Sequence, residues 1–181
     1  MDKIKVKVKL DPGAAMPTRA HGTDSGWDIR ALSIKIEYRT LQDPEWRELQ
    51  GKYPPNNADW RIVIDTGVHL QPPPGWGFSG RPNSRSGKGW WRWAFSPSTI
   101  DQAYTGAIKV MLEPRHPWVL PSMAPQPGDV CGQLILERIY DMELEQVEEL
   151  DDTDRGAGGF GSTEKRKSFT SPMNVIKQTK Q

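Results

Sequence analysis

Apolar and polar residues alternate with a period of two in several short segments of the chain. In residues 3–10 (KIKVKVKL) the alternation places the four aliphatic residues on one face, as expected for a half-buried β-strand. Apolar runs rich in β-branched residues predict further strands at residues 29–38, 61–70, 108–112 and 129–140. Because turn residues separate these segments at close spacing, the pattern favours an all-β sandwich or barrel.

One segment carries a weak helix signal. Residues 41–50 (LQDPEWRELQ) are polar enough for a surface helix, and Pro44 suits the first turn of such a helix. The segment is short and heavily charged, and the stretch as far as Pro55 is typical of a surface insertion. We therefore predict at most one short helix in an otherwise β-rich chain.

The C-terminal part of the chain is strongly polar. Residues 141–154 contain eight acids and no base, residues 156–163 (GAGGFGST) are rich in glycine, and residues 164–181 carry five bases against a single acid. Such a segment has little apolar surface to bury, so we expect it to be mobile when nothing is bound. The chain is therefore predicted to consist of a β domain at residues 1–154 and a C-terminal arm at residues 155–181.

Composition argues against several classes of protein. With 24 Lys and Arg against 23 Asp and Glu, the formal net charge of +1 argues against dedicated nucleic-acid binding. No apolar run approaches the ~20 residues that a membrane span needs, and the charged N-terminus is unlike a signal peptide. The single cysteine, Cys131, excludes an intrachain disulfide framework and fits a reducing, cytoplasmic compartment. The three histidines are scattered, without the spacing of zinc ligands.

Residues 155–163 (RGAGGFGST) partly match two nucleotide-binding patterns. They contain G-x-G-x-x-G, but a dinucleotide-binding turn follows a buried strand and opens a helix, whereas here an acidic stretch precedes and a basic tail follows. They also come near a P-loop, but Ser162 stands where that loop needs lysine. The segment can still wrap phosphate oxygens with backbone N–H groups, while Arg155 adds a charged contact and Phe160 stacks on a base. A disordered linker is an equally good interpretation of this segment alone.

Three other segments each allow a structural and a functional interpretation. Residues 84–87 (SRSG) form a small-residue loop that can hold phosphate, although such loops are common. Asp101 lies at the mouth of a predicted hairpin, where it can act as a general base or only hydrogen-bond its own turn. Residues 90–93 (WWRW) can stack on single-stranded nucleic acid, although such clusters more often cover the edge of a core. Taken singly, each segment favours the structural interpretation.

Taken in order along the chain, the segments resemble the five motifs of the trimeric dUTPase family. Their counterparts are residues 24–29 (DSGWDI), 84–87 (SRSG), 99–106 (TIDQAYTG), 127–134 (PGDVCGQL) and 155–163 (RGAGGFGST). Each motif alone is weak evidence, but five in the correct order are strong evidence. The resemblance extends over about residues 4–163, and the opening LDPGAAMPTRAHGTDSG is similar to actinobacterial members or to phages that infect such hosts.

The resemblance implies a jelly-roll-like β fold and a homotrimer whose active sites are shared between subunits. It implies hydrolysis of dUTP to dUMP and pyrophosphate with Mg²⁺, which limits uracil incorporation into DNA and supplies dUMP for dTMP synthesis. A triphosphate carries about four negative charges, so attack of water on the α-phosphorus needs charge neutralisation and alignment. Asp101 corresponds to the acid that orients and deprotonates this water, and Asp28 to the acid that contacts Mg²⁺-bound waters.

The remaining implied contacts surround the nucleotide. Tyr104 corresponds to the ring packed under the deoxyribose, and Phe160 corresponds to the ring that stacks on uracil. The uracil edge is read in the family by backbone groups, here near Ile100 and Lys109. The phosphate contacts and the closing arm correspond to Arg85, Ser86, Gly87, Gln133, Arg155, Gly161, Ser162 and Thr163.

Departures from the family pattern keep other functions open. Phe95 replaces an asparagine of the uracil slot in actinobacterial relatives, which motivates a hydrolase for a modified pyrimidine nucleotide. A dCTP deaminase shares the fold but needs a catalytic glutamate where Met111 stands. An insertion at residues 38–60, the Trp-rich residues 90–93 and the basic tail motivate a protein partner, as for a phage regulator that binds a repressor. Such a role adds to catalysis or replaces it.

Overall fold

The computed structural model describes residues 3–51, 53–84, 89–154 and 156–157. Within these residues the chain forms eleven β-strands and a 3₁₀ turn at Pro121–Met123. The strands are β1 (Lys7–Leu10), β2 (Trp27–Arg30), β3 (Ser33–Arg39), β4 (Arg47–Glu48), β5 (Asp59–Asp65), β6 (Val68–Gln71), β7 (Trp76–Arg81), β8 (Trp91–Trp93), β9 (Ser98–Ile100), β10 (Lys109–Pro114) and β11 (Val130–Arg138). The all-β class predicted from the alternating pattern is confirmed.

The strands form three antiparallel sheets around one continuous core. Five strands follow the order β4-β3-β5-β10-β8, four follow the order β2-β11-β7-β9, and β1 pairs with β6. Each sheet turns one face inward, because alternate residues of a strand point to opposite faces. The most deeply buried apolar side chains are Ile29, Ile62, Ile64, Val68, Val110, Val119 and Leu134.

Two of the predicted strands are each divided in two. The segment predicted at residues 29–38 spans β2 and β3, and the segment predicted at residues 61–70 spans β5 and β6. The second division falls at Gly67, which has a φ of +60° and lies so close to Leu32 that a Cβ would come within 2.6 Å of that side chain. A positive φ and a close contact both favour glycine, so the chain turns here and enters a different sheet.

The helix predicted at residues 41–50 is wrong. Part of this segment forms β4, which pairs with β3 at the edge of the five-stranded sheet. The ring of Trp46 contacts two guanidinium groups, with its centroid 4.8 Å from Cζ of Arg39 and 4.0 Å from Cζ of Arg61. These contacts outweigh the weak preference of a short, charged segment for helix. The insertion at residues 38–60 therefore extends a sheet.

The Trp-rich segment mainly covers the core, as its structural interpretation predicts. Trp91 is buried, and its Nε1 donates a hydrogen bond to a backbone carbonyl at 3.1 Å. Trp93 is partly buried and packs against the same core. Trp90 is 47% exposed and meets Trp118 edge to face at 4.9 Å. Two of the three tryptophans thus contribute to folding rather than to a free surface.

The chain divides into two compact units, residues 1–141 and residues 142–181. All eleven strands belong to the first unit. The domain boundary predicted between residues 154 and 155 stays a prediction. Within the described ranges, no helix is long and apolar enough to cross a membrane.

Candidate active site

A polar cleft of about 600 Å³ lies beside β2 and β11. Asp28 of β2 stands directly opposite Gln133 of β11, and both line the cleft together with Asp24 and Ser84. Ile29, the next residue along β2, is fully buried in the core. Because neighbouring residues of a strand point to opposite faces, the core position of Ile29 directs the partly buried Asp28 into the cleft.

The amide of Gln133 is fixed on two sides. Its Nε2 donates a hydrogen bond to the carbonyl oxygen of Pro82 at 3.1 Å. Its Oε1 lies so close to Gly26 that a Cβ at that position would come within 2.0 Å of it. A side chain at position 26 would displace either the amide or the loop before β2. Gly26 and Gln133 are far apart in the sequence. The first motif therefore shows that glycine stands at position 26, but only the structure shows that it makes room for the amide of Gln133.

Residues 101–107, followed by the buried Ile108, connect β9 of the four-stranded sheet to β10 of the five-stranded sheet. The predicted hairpin is therefore a loop that joins the two sheets, hereafter the 101–107 loop. The backbone N–H of Tyr104 donates to the carbonyl oxygen of Asp101 at 3.0 Å, and the Tyr104 hydroxyl donates to the carbonyl oxygen of Ala107 at 2.9 Å. A Cβ on Gly106 would come within 2.5 Å of that hydroxyl. Glycine at position 106 thus allows the ring of Tyr104 to fold back over the loop while remaining 45% exposed.

The carboxylate of Asp101 is exposed and unused by its own turn. The turn is closed by the backbone carbonyl of Asp101 rather than by its side chain. Among the described residues, the carboxylate has no hydrogen-bond or ion-pair partner. The geometry therefore argues against the interpretation that this side chain only stabilises its turn, and it leaves both carboxylate oxygens available to a ligand or a water.

Ile100 and Lys109 flank the 101–107 loop. Ile100 ends β9 opposite Phe78 of β7 and packs, partly buried, against the core. Lys109 begins β10 opposite Asp65 of β5, and its Nζ lies 3.9 Å from the carboxylate of that residue. The backbone groups predicted to read the uracil edge thus stand at the two ends of one loop.

Asp28 and Asp101 belong to opposite edges of the four-stranded sheet. β2 and β9 are its outer strands, so three interstrand spacings of about 4.8 Å, roughly 14 Å in total, separate them. Asp28 pairs with Gln133 of β11. Ile100 pairs with Phe78 of β7, which in turn pairs with Leu136 of β11, so Asp101, one residue after Ile100, lies four residues further along the sheet than Asp28. This offset adds about 13 Å along the strands, so the two positions in one chain are on the order of 20 Å apart.

Eight predicted site residues lie outside the described residues. They are Arg85, Ser86, Gly87, Arg155, Phe160, Gly161, Ser162 and Thr163. The structure therefore brings Ile100, Asp101, Tyr104 and Lys109 together at the 101–107 loop and places Asp28 with Gln133 at the cleft.

The comparisons with known proteins decide the family. The family model described as dUTPase matches residues 57–164. The deoxyuridine 5'-triphosphate nucleotidohydrolase of Nocardia farcinica is 34% identical over 168 residues, which cover 90% of this chain and 86% of that protein. The protein of the same name from Corynebacterium glutamicum is 33% identical over 168 residues, covering 90% and 95% respectively.

The chain belongs to the dUTPase family. The resemblance drawn from the five motifs is thereby confirmed, and these relatives agree with the actinobacterial appearance of the opening segment. The deaminase alternative is not favoured. Met111 stands in β10 of this dUTPase-family member, and a thioether cannot transfer a proton.

Solved structures agree with the fold of this dUTPase-family member. A mutant dUTPase of Staphylococcus bacteriophage 80alpha with dUpNHpp has a TM-score of 0.65 at 22% identity, covering 88% of this chain and 98% of that chain. A mutant dUTPase from phage phi11 of S. aureus, described for its coordination of a structural Mg(II) ion, has a TM-score of 0.58 at 22% identity, covering 80% and 97%. The jelly-roll-like dUTPase fold is therefore confirmed.

Proposed function

We propose that this chain hydrolyses dUTP to dUMP and pyrophosphate, with water attacking the α-phosphorus. The observation that carries the proposal is the exposed carboxylate of Asp101, which its own turn leaves unused, on the same loop as Tyr104. Family membership supports the reaction, because the curated relatives are named for it.

Asp101 acts as the general base. Its ionised oxygens accept a hydrogen bond from the attacking water and take its proton as the new bond to phosphorus forms. A positioned base of this kind contributes typically about 10²–10⁴-fold to the rate. A hydrogen bond from the sugar 3′-hydroxyl to the same carboxylate links the position of the base to that of the bound nucleotide.

The donors at the cleft fit Mg²⁺. This ion keeps several of its waters and binds through one or two carboxylates together with substrate phosphates. Among the described residues, no group of three or more His, Cys, Asp or Glu is arranged to hold a metal, while Asp28 offers one partly buried carboxylate to the cleft. Asp28 would hold the ion through coordinated water, and the bound ion would neutralise charge on the triphosphate.

Gln133 binds a phosphate oxygen. One N–H of its amide is directed at Pro82, and an amide nitrogen carries two, so the second can donate to the substrate. Further phosphate contacts are assigned to Arg85, Ser86 and Gly87. The closing arm supplies the rest, through Arg155, Gly161, Ser162 and Thr163.

The nucleoside is bound by aromatic rings and by backbone groups. Tyr104 packs under the deoxyribose and leaves no room for a 2′-hydroxyl, while Phe160 stacks on the base. Backbone groups near Ile100 and Lys109 pair with the uracil edge in a tight slot. Steric exclusion of the 5-methyl group of thymine then adds specificity against dTTP.

Each active site is formed by more than one copy of the chain. A base at position 101 and a carboxylate at position 28 that holds Mg²⁺ through water must act on the same triphosphate, yet in one chain they are on the order of 20 Å apart. A homotrimer in which the 101–107 loop of one copy faces the cleft of the next brings the two carboxylates together. Cyclic symmetry then produces three equivalent sites.

Pyrophosphate release from a panel of nucleotides tests the proposal. dUTP, dTTP, dCTP, UTP and a 5-substituted dUTP are compared with and without Mg²⁺. We expect dUTP with Mg²⁺ to give the highest kcat/KM by about a hundredfold or more, because the slot and Tyr104 exclude the 5-methyl and the 2′-hydroxyl. A preference for the 5-substituted nucleotide would instead favour the alternative that Phe95, 63% exposed, adapts the slot to a modified base.

A protein partner at the insertion or at the Trp-rich segment stays a prediction. The insertion is held to the five-stranded sheet through β4 and presents its own edge there. If an Asp101→Asn variant still bound a repressor while its pyrophosphate release fell at least a hundredfold, partner binding and hydrolysis would be separate roles.

A further inference from the structure

His69 joins the first strand region to the candidate site. It lies on β6 opposite Lys9 of β1, and its side chain is 19% exposed. Its Nδ1 lies 2.8 Å from the carbonyl oxygen of Thr105 in the 101–107 loop, and its Nε2 lies 3.1 Å from Oδ1 of Asp11. Asp11 is itself fixed, because its backbone N–H donates to Gly67 at 2.9 Å. One imidazole therefore connects a firmly held turn to the loop that carries Asp101 and Tyr104.

Both partners of the imidazole are hydrogen-bond acceptors. A backbone carbonyl and a carboxylate have no hydrogen to donate, so both ring nitrogens of His69 must donate. Neutral imidazole carries a single N–H and can satisfy only one partner, whereas imidazolium carries two. The geometry thus selects the protonated form of His69.

The groups that face the ring favour the same form. The hydrogen bond to Thr105 and then the hydrogen bond to Asp11 raise the pKa of His69 above its ordinary value of 6.5, while partial burial and the charge of Lys9 act in the opposite direction. Among the described residues, the 101–107 loop presents only an uncharged carbonyl to the ring. Because the pKa is higher in the folded protein, the contacts contribute fully below pH 6.5 and are lost as the pH rises through the folded pKa.

The contact to Thr105 is adjacent to the residue assigned to the sugar. Thr105 follows Tyr104 directly. Among the described residues, Tyr104 itself bonds only within the loop, to the carbonyl oxygens of Asp101 and Ala107, and the other hydrogen bonds from the loop to the rest of the fold lie further away. Gln102 accepts a hydrogen bond from the backbone of Gly75 at 3.1 Å, and the backbone of Ile108 donates to β6 at 2.9 Å. Loss of the bond to His69 therefore removes the tie between the middle of the loop and β6 while both ends stay fixed, and Tyr104 keeps, of its described contacts, only the hydrogen bonds within the loop.

We propose that protonated His69 is a positioning residue that holds Thr105, and with it Tyr104, for binding of the deoxyribose, and that nucleotide binding weakens as His69 loses its proton. The inference rests on the proposed function, since Tyr104 is the residue through which His69 acts on the nucleotide. The ring of His69 bonds to Thr105 and Asp11, neither of which is assigned to the reacting atoms, so its effect should fall on KM more than on kcat.

Kinetics over a range of pH provide the first test. KM and kcat for dUTP are measured between about pH 6 and pH 8.5 for the unmodified protein, for His69→Gln and for His116→Gln as a matched control, since His116 is exposed and stacks on Trp118. We expect the unmodified protein and the control to show a rise in KM of about threefold to tenfold, with kcat changing less. His69→Gln should have a raised KM at pH 6 and little further rise. A profile for His69→Gln parallel to that of the unmodified protein would overturn the proposal.

Proton NMR of the histidine rings provides a second test that needs no turnover. The chain has three histidines, so single Gln variants assign every ring resonance. We expect His69 to titrate above 6.5 and Asp11→Asn to lower its pKa. A His69 pKa at or below 6.5, or one unaffected by Asp11→Asn, would overturn the proposal. A protein that turns over no dUTP would contradict the proposed function, whereas the NMR result would still decide the role of the imidazole.

Discussion

Replacement of Asp101 by asparagine lowers kcat for dUTP by about a hundredfold or more, because the amide cannot take the proton of the attacking water. The effect on KM is smaller, since an amide oxygen still accepts a hydrogen bond from the sugar 3′-hydroxyl. Thermal stability should not change, because the carboxylate is exposed and has no partner among the described residues. Steady-state kinetics and a thermal melt of the same preparation measure the two quantities.

Asp59→Asn is the matched control for this substitution. Asp59 is an exposed acid whose surface ion pair with Arg39 spans 3.2 Å, and such pairs contribute little to stability. Its loss should leave both kcat and the melting temperature close to those of the unmodified protein. Full activity of Asp101→Asn would refute the role of Asp101, and loss of folding by that variant would show that the side chain is structural after all.

Deletion of residues 155–181 should abolish most turnover while leaving the fold intact. The last described strand ends at Arg138, and the described core residues all precede it, so the deletion removes none of the described strands and none of the described core side chains. In the proposed function the arm contacts the outer phosphates through charged and backbone groups, and loss of such contacts costs a factor of roughly 10² or more in kcat. Pyrophosphate release and size-exclusion chromatography of the truncated protein test both parts of this prediction.

A shorter deletion distinguishes the fifth motif from the basic tail. A chain that ends at Glu164 retains the motif and loses only residues 165–181. We expect it to keep most of its activity, because the tail carries none of the residues assigned to the nucleotide. If both truncated proteins lost activity equally, the tail would have a function. If the protein that lacks residues 155–181 did not fold, the β domain would not be independent of the arm.

The strands with strong alternation could be predicted from the sequence, and those rich in glycine could not. Residues 129–140 are apolar enough to predict β11, whereas β7 contains Gly77 and Gly80 and lacks the pattern. A Cβ on Gly80 would come within 2.5 Å of Ser98, so glycine is present there for a contact with a partner strand. Glycine weakens the local signal of a strand and marks close approach by another part of the chain. The weak helix candidate at residues 41–50 does not form a helix, and the contact of Trp46 with Arg61, 15 residues along the chain, could not be read from the local sequence.

Candidate residues for the site could be named from the sequence, but their arrangement could not. The order of the five motifs makes Asp28 and Asp101 candidates, because the resemblance to the family rests on that order. Their places at opposite edges of one sheet follow from strand register, which local sequence does not encode. The same holds for His69, because a single histidine in an apolar strand gives no indication that Asp11 and Thr105 meet it from two directions.

Complementation between two inactive variants tests the central claim most directly, namely that Asp28 of one copy and Asp101 of another act on the same nucleotide. Asp28→Asn and Asp101→Asn are each expected to be nearly inactive, and they are co-refolded in equal amounts. If sites are shared in a cyclic trimer, random mixing of the two variants leaves about a quarter of the sites with both an intact Asp28 and an intact Asp101. About a quarter of the unmodified activity should then return. A mixture no more active than the two separate variants would contradict the shared site.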